Sequence, residues 1–94
     1  MNTDNIHILV VDDDDRLRDL LKNYLTKNGF RVSDAENILA AKAKMALIEF
    51  DIIVLDRMMP GETGLDFAIS IRKHSDVPIL MLTAMAEAVD RIEG

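Results

Sequence analysis

The sequence predicts an α/β fold, a doubly wound parallel sheet with helices on both faces, and three observations carry that prediction. Four short strand-like runs, at residues 6–11, 30–35, 52–55 and 79–82, alternate with stretches whose apolar residues recur at helical spacing. Two of those runs, 6–11 and 52–55, are apolar almost throughout, as strands covered on both faces must be. Each of the two stops on carboxylates: Asp12, Asp13, Asp14 and Asp15 after the first, Asp56 after the second.

Residues 6–11 form the first strand, and the acid cluster follows. A helical stripe of Leu17, Leu20, Leu21, Tyr24 and Leu25 comes next. An aspartate among residues 12–15 can cap that helix's free amides, and Asn28-Gly29 closes it because glycine takes the left-handed conformation without a Cβ penalty. Residues 30–35 make a shorter, more polar strand, suited to a sheet edge. Asn37 caps a second helix with the stripe Ile38, Ala41, Met45 and Ile48. After the buried strand at 52–55, residues 57–63 form a loop. Glu62-Thr63-Gly64 then opens a third helix carrying Leu65, Ala68, Ile69 and Arg72. Pro78 stands at the first position of a fourth strand, 79–82, where its missing amide is harmless. Residues 87–93 read as a short amphipathic helix stopped by Gly94.

Composition narrows the function. The chain has 94 residues, enough for one domain, and 49% are hydrophobic. A net charge of −6 and only four aromatic residues argue against a grip on nucleic acid through these residues. With no cysteine there is no thiolate nucleophile, disulfide or cysteine metal site. No apolar run approaches the ~18 residues of a membrane span, and residues 1–5 lack a signal peptide's basic start, so the cytoplasm is the expected location.

In a parallel α/β sheet, ligands bind outside the carboxyl ends of the strands. Asp12, Asp13, Asp56 and Thr83 all fall there. Three carboxylates within a few ångströms repel one another by roughly 1–4 kcal/mol per pair, a penalty that a divalent cation removes. Magnesium suits the hard oxygen ligands, and His7 and His74 lie far from the cluster. Asp13 and Asp56 are expected as direct ligands, Asp12 through water, and the backbone carbonyl of Met58 to complete the protein's share. Magnesium with open positions recruits phosphate oxygens, and a carboxylate beside it can attack phosphorus to give an acyl phosphate. Asp56 is placed as that nucleophile. Thr83 offers a hydroxyl to a phosphoryl oxygen, and small Ala84 leaves the pocket open to a phosphodonor.

These residues also carry a resemblance. Ile8-Leu9-Val10-Val11-Asp12-Asp13, then Asp56-x-Met58-Met59-Pro60-Gly61-x-x-Gly64, then Pro78-Ile79-x-x-Leu82-Thr83-Ala84 resemble the receiver domain of two-component response regulators. The resemblance implies a flavodoxin-like sheet of strand order 2-1-3-4 and a phosphoprotein that takes its phosphoryl group on Asp56 from a sensor histidine kinase's phosphohistidine. It also implies Asp12 and Asp13 as the acidic pair for Mg2+, with Thr83 as the switch hydroxyl in signal transduction. The Pro60-Gly61 turn and the Asp90-Arg91 ending are similar to the winged-helix, OmpR-type transcription regulators. The family's fifth strand and helix, with its lysine and aromatic switch residue, find no match after Thr83. Residues 1–94 are therefore expected to be the N-terminal part of a receiver, without an effector domain. DNA would be reached only through that missing domain. The 79–82 edge is then expected to invite a homodimer or a strand- or domain-swapped oligomer, and Leu17, Tyr24 or Leu25 of the first helix is expected to be uncovered.

Plainer readings stand beside these. Asp14 and Asp15 suit capping and solvation, Met58 and Met59 packing, and Arg57 solvent. His7 reads as a strand residue and His74 as a helix-end cation. A Mg-dependent aspartyl-phosphate phosphohydrolase would need an acid two residues after Asp56, where Met58 stands. A nucleotide-binding α/β domain would need a glycine-rich loop where the four aspartates are. A phosphorylation-incompetent interaction fragment is the remaining alternative to the receiver, which is itself expected to be a phosphoacceptor switch and not an enzyme.

Overall fold

The computed structural model describes residues 5–56 and 63–82. The expected loop at 57–62, Met58, Thr83, Ala84 and the final helix lie outside the described residues. Within them the order is β1 (His7–Val11), α1 (Asp15–Lys27), β2 (Arg31–Ala35), α2 (Ile38–Leu47), β3 (Ile52–Leu55), α3 (Gly64–Arg72) and β4 (Ile79–Met81). The strands form one parallel sheet in the order β2-β1-β3-β4. That is the expected order, with the polar strand at one edge and the two apolar strands in the centre.

Alternation along the strands divides the core in two, one cluster on each face of the sheet. Leu9, Val11, Ile53 and Leu55 pack on one face with Ile38 and Ala41 of α2 and Phe67 and Ile71 of α3. Ile8, Val10 and Val54 pack on the other with Leu21 and Leu25 of α1. Both faces are covered, so the central strands bury every side chain from Ile8 to Val11 and from Ile53 to Leu55.

Local chemistry sets the helix ends. Asp14 caps α1 by accepting from the Leu17 amide at 3.1 Å, Asn37 caps α2 through Ala40 at 2.7 Å, and Thr63 caps α3 through Asp66 at 3.1 Å. Each side chain accepts from an amide that has no partner inside its helix. Gly29, with φ of 93°, turns the chain out of α1 as expected.

Three stripes depart from the sequence reading. In α3 the buried face is Gly64, Phe67 and Ile71, whereas Leu65, Ile69 and Arg72 are exposed. In α1 Leu17 and Tyr24 lie uncovered, as expected, but Leu20 faces outward too, and Leu21 and Leu25 are the stripe residues that reach the core. Ile48 falls just past the end of α2, where the backbone has turned extended, and is exposed. Among the described residues no helix is long and apolar enough to cross a membrane, and β4 pairs only with β3.

Candidate functional site

The register of the two central strands builds the site. Val11 pairs with Leu55, so the residues that follow, Asp12 and Asp56, leave the sheet side by side. Backbone bonds carry the ladder one step further on each side: the Asp56 amide donates to the Val11 carbonyl at 3.0 Å, and the Asp12 amide to Ala35 of β2 at 3.1 Å. Both acids are therefore held by the frame of the sheet and not by a loop.

Asp12, Asp13 and Asp56 come together, with one carboxylate oxygen of each within 4.8 Å of the others. Their environments differ. Asp12 is fully buried at 1% exposure, Asp56 is half-buried and Asp13 is exposed. Asp12 Oδ1 accepts from the Asp14 amide at 2.9 Å, while its buried Oδ2 has no hydrogen-bond partner among the described residues. Burial pushes the Asp12 carboxyl above the usual range. The Asp14 amide works against that rise, and the charges of Asp56, Asp13 and Asp14 add to it.

A buried carboxylate oxygen without a donor is costly unless something positive meets it. The donor set is three carboxylates with no histidine or cysteine, which is the chemistry of a hard divalent cation. The residues present fit magnesium, and the buried orphan oxygen of Asp12 is the observation that says so. His7 stands at the opposite end of β1, where its Nε2 lies 2.8 Å from Ser33 Oγ, and takes no part.

Spacing along the sequence does not reveal a neighbouring polar network. Arg18 of α1 donates from Nη1 to the Asp12 carbonyl at 2.8 Å, from Nε to Asp34 Oδ2 at 3.1 Å and from Nη2 to Asp15 Oδ1 at 2.6 Å. Lys22 approaches Asp34 Oδ1 at 3.6 Å, and Lys44 reaches both that oxygen and the Asp34 carbonyl. The available signal was Asp34 itself, a charged residue one position before the end of a strand beside the acid cluster.

Burial alone would raise the Asp34 carboxyl. The Arg18 hydrogen bond and the charges of Lys22, Lys44 and Arg18 outweigh it and hold the group below its ordinary value. A depressed carboxyl contributes stability above its unfolded pKa, ~3.9, and that contribution is lost as pH falls through the folded value. Asp34→Asn is expected to cost about 1–2 kcal/mol at pH 7 and almost nothing near pH 2. Urea melts at the two pH values check this, and an equal loss at both would show that packing, not charge, is what Asp34 supplies.

The arrangement has counterparts. Residues 8–94 match the family profile described as the response regulator receiver domain. Protein PetR of Rhodobacter capsulatus is 47% identical over 88 residues, covering 94% of this chain and 37% of its own length. The transcriptional regulatory protein ResD of Bacillus subtilis is 42% identical over 92 residues, covering 98% of this chain and 38% of its own. The chain thus spans less than two fifths of the curated relatives it matches. Among solved structures, the response regulator TrrA of Thermotoga maritima in complex with Mg2+ and BeF superposes with a TM-score of 0.69 at 43% identity, covering 72% of this chain and 59% of that one. A structure of histidine kinase ThkA in complex with TrrA gives 0.76 at 40% identity, covering 81% and 66%.

Proposed function

This chain belongs to the response regulator receiver domain family, and from that premise we propose that it takes a phosphoryl group on Asp56 from a sensor histidine kinase. Receiver domains are phosphoacceptor switches and not enzymes in the usual sense. The observation that carries the reading is the convergence of Asp12, Asp13 and Asp56 at the carboxyl ends of the two central strands, with Asp12 buried and one of its oxygens unpartnered among the described residues.

Asp13 and Asp56 would hold Mg2+ directly and Asp12 through water, with the Met58 carbonyl completing the set. The ion's chemistry there is to neutralise the carboxylates and draw in phosphoryl oxygens. A carboxylate oxygen of Asp56 attacks phosphorus as the P–N bond of the kinase's phosphohistidine breaks, and the electron pair leaves with the imidazole. Thr83 donates its hydroxyl to a phosphoryl oxygen. Met58, two residues after Asp56, supplies no acid, so the acyl phosphate persists long enough to signal. In the full-length protein the output would be transcription, in keeping with the regulators it resembles and with an OmpR-type arrangement acting in the cytoplasm.

Incubation with acetyl phosphate and Mg2+, followed by intact mass, tests the reading. A gain of about 80 Da, one phosphoryl unit in place of a proton, is expected in the wild type. It should be absent in Asp56→Asn and absent with chelator. Labelling that survives Asp56→Asn would place the acceptor elsewhere.

A further inference from the structure

Arg18 sits at the junction of three elements. Its side chain is only 12% exposed although α1 lies on the surface. The planar guanidinium spends its donors on three different targets: the Asp12 carbonyl just after β1, the Asp34 carboxylate near the end of β2, and the Asp15 carboxylate in the first turn of α1. The bond to Asp12 is at the backbone. It holds the peptide that joins Asp12 to Asp13, and the orientation of that peptide sets the directions in which the two acids leave the chain. Asp12 is already tied to β2 through its amide. Arg18, anchored on Asp34, ties the other end of the same residue to the same strand.

We infer that Arg18 is a positioning residue for the cation site, clamping the Asp12–Asp13 peptide against β2 through its bonds to the Asp12 carbonyl and the Asp34 carboxylate. The inference rests on the reading of Asp12, Asp13 and Asp56 as the Mg2+ site. Arg18 itself touches neither the ion nor the phosphoryl group. Residues that orient the ligands of a metal, without binding it, commonly set its affinity within a factor of ten to a hundred.

Charge and position predict opposite signs here, which makes the test sharp. A cation near a divalent-ion site weakens binding by repulsion, so Arg18→Ala would tighten Mg2+ binding if charge were all that mattered. Positioning predicts the reverse. Calorimetric titration of Mg2+ into the protein should give a Kd about tenfold higher in Arg18→Ala. Arg18→Lys should be weakened severalfold, because an ammonium keeps the charge without spanning Asp12 and Asp34 together. Ile71→Val, which loosens the core on the α2–α3 face of the sheet, serves as a destabilised reference and should bind as the wild type does. Thermal melts of each variant fix a temperature at which all are folded, and should Arg18→Ala not fold, Arg18→Lys carries the comparison.

Unchanged or tighter binding in the Arg18 variants, with wild-type binding that depends on Asp13, overturns the role of Arg18 and leaves the site intact. Absence of Mg2+ binding in the wild type, or full binding by Asp13→Asn, overturns the site and Arg18's role with it.

Discussion

Asp12→Asn is expected to stabilise the metal-free protein while abolishing its stabilisation by Mg2+. Two anionic neighbours lie within 4.8 Å of the Asp12 carboxylate, a separation at which unit charges repel by about 3–4 kcal/mol in the intermediate dielectric of a protein edge. Partial protonation and solvent relaxation reduce that ceiling, and the expected net gain from removing the charge is about 1–3 kcal/mol. The asparagine keeps an oxygen to accept from the Asp14 amide and puts an uncharged NH2 donor where Oδ2 has no partner among the described residues. The pH dependence follows from the same cause. The folded Asp12 carboxyl is raised, so it binds its proton more tightly folded than unfolded. The metal-free wild type therefore loses stability as pH climbs from about 3.9 through the raised folded value and then levels off. Asp12→Asn lacks that decline. In the wild type Mg2+ is expected to restore the loss by mass action, by roughly 2.7 kcal/mol at one hundred times its Kd. Urea melts with chelator and with Mg2+ measure both halves. A lower midpoint for Asp12→Asn in chelator would show that the carboxylate gives the frame more than its repulsion costs.

Phe67→Ala is expected to cost about 3–5 kcal/mol, the largest loss of any single truncation in α3. The ring is 2% exposed and belongs to the core formed by Leu9, Ile53 and Leu55 on one side of the sheet. Lys42 Nζ stands over it at 5.9 Å from the centroid, so truncation also removes the ring face that this ammonium meets. A domain of this size has a total of roughly 5–14 kcal/mol to lose. Denaturant midpoints should fall accordingly, while Leu65→Ala on the opposite face of the same helix should shift by no more than about 0.5 kcal/mol. Comparable losses at the two positions would place the buried face of α3 incorrectly.

These two outcomes also mark what was legible in the chain. Asp12 and Asp56 could be found because a central parallel strand must be apolar to its last residue, so a carboxylate that follows such a run announces the sheet's edge. Asp13 came with them by adjacency. The buried face of α3 could not be read the same way. Its apolar residues, Leu65, Phe67, Ala68, Ile69 and Ile71, nearly surround the helix, and spacing alone does not say which of them the sheet will cover. In α1 the sheet takes Leu21 and Leu25, and Leu17 and Tyr24 lie uncovered as expected, so Leu20 is the position that spacing alone misplaces. Arg18 was invisible for a different reason. Its partner Asp34 lies 16 residues away, and the pair meets only because β2 joins β1 in the register that sets Val10 beside Asp34. Spacing within a helix gives no hint of that.

The central place of β1 also fixes an order of events during synthesis. This strand leaves the ribosome before β2, α2 and β3, yet its backbone is satisfied on both sides only when β2 and β3 have arrived. The Asp51 side chain accepts from the His7 amide, and 44 residues separate the two. At ~5–20 residues per second that stretch takes roughly 2–9 s to make. For those seconds one of the two most apolar strands of the molecule has an edge to offer any passing strand. The run of four aspartates that follows it keeps a dense negative charge beside that edge throughout the wait, so the residues suited to gathering a cation in the finished protein would first serve to keep nascent chains apart.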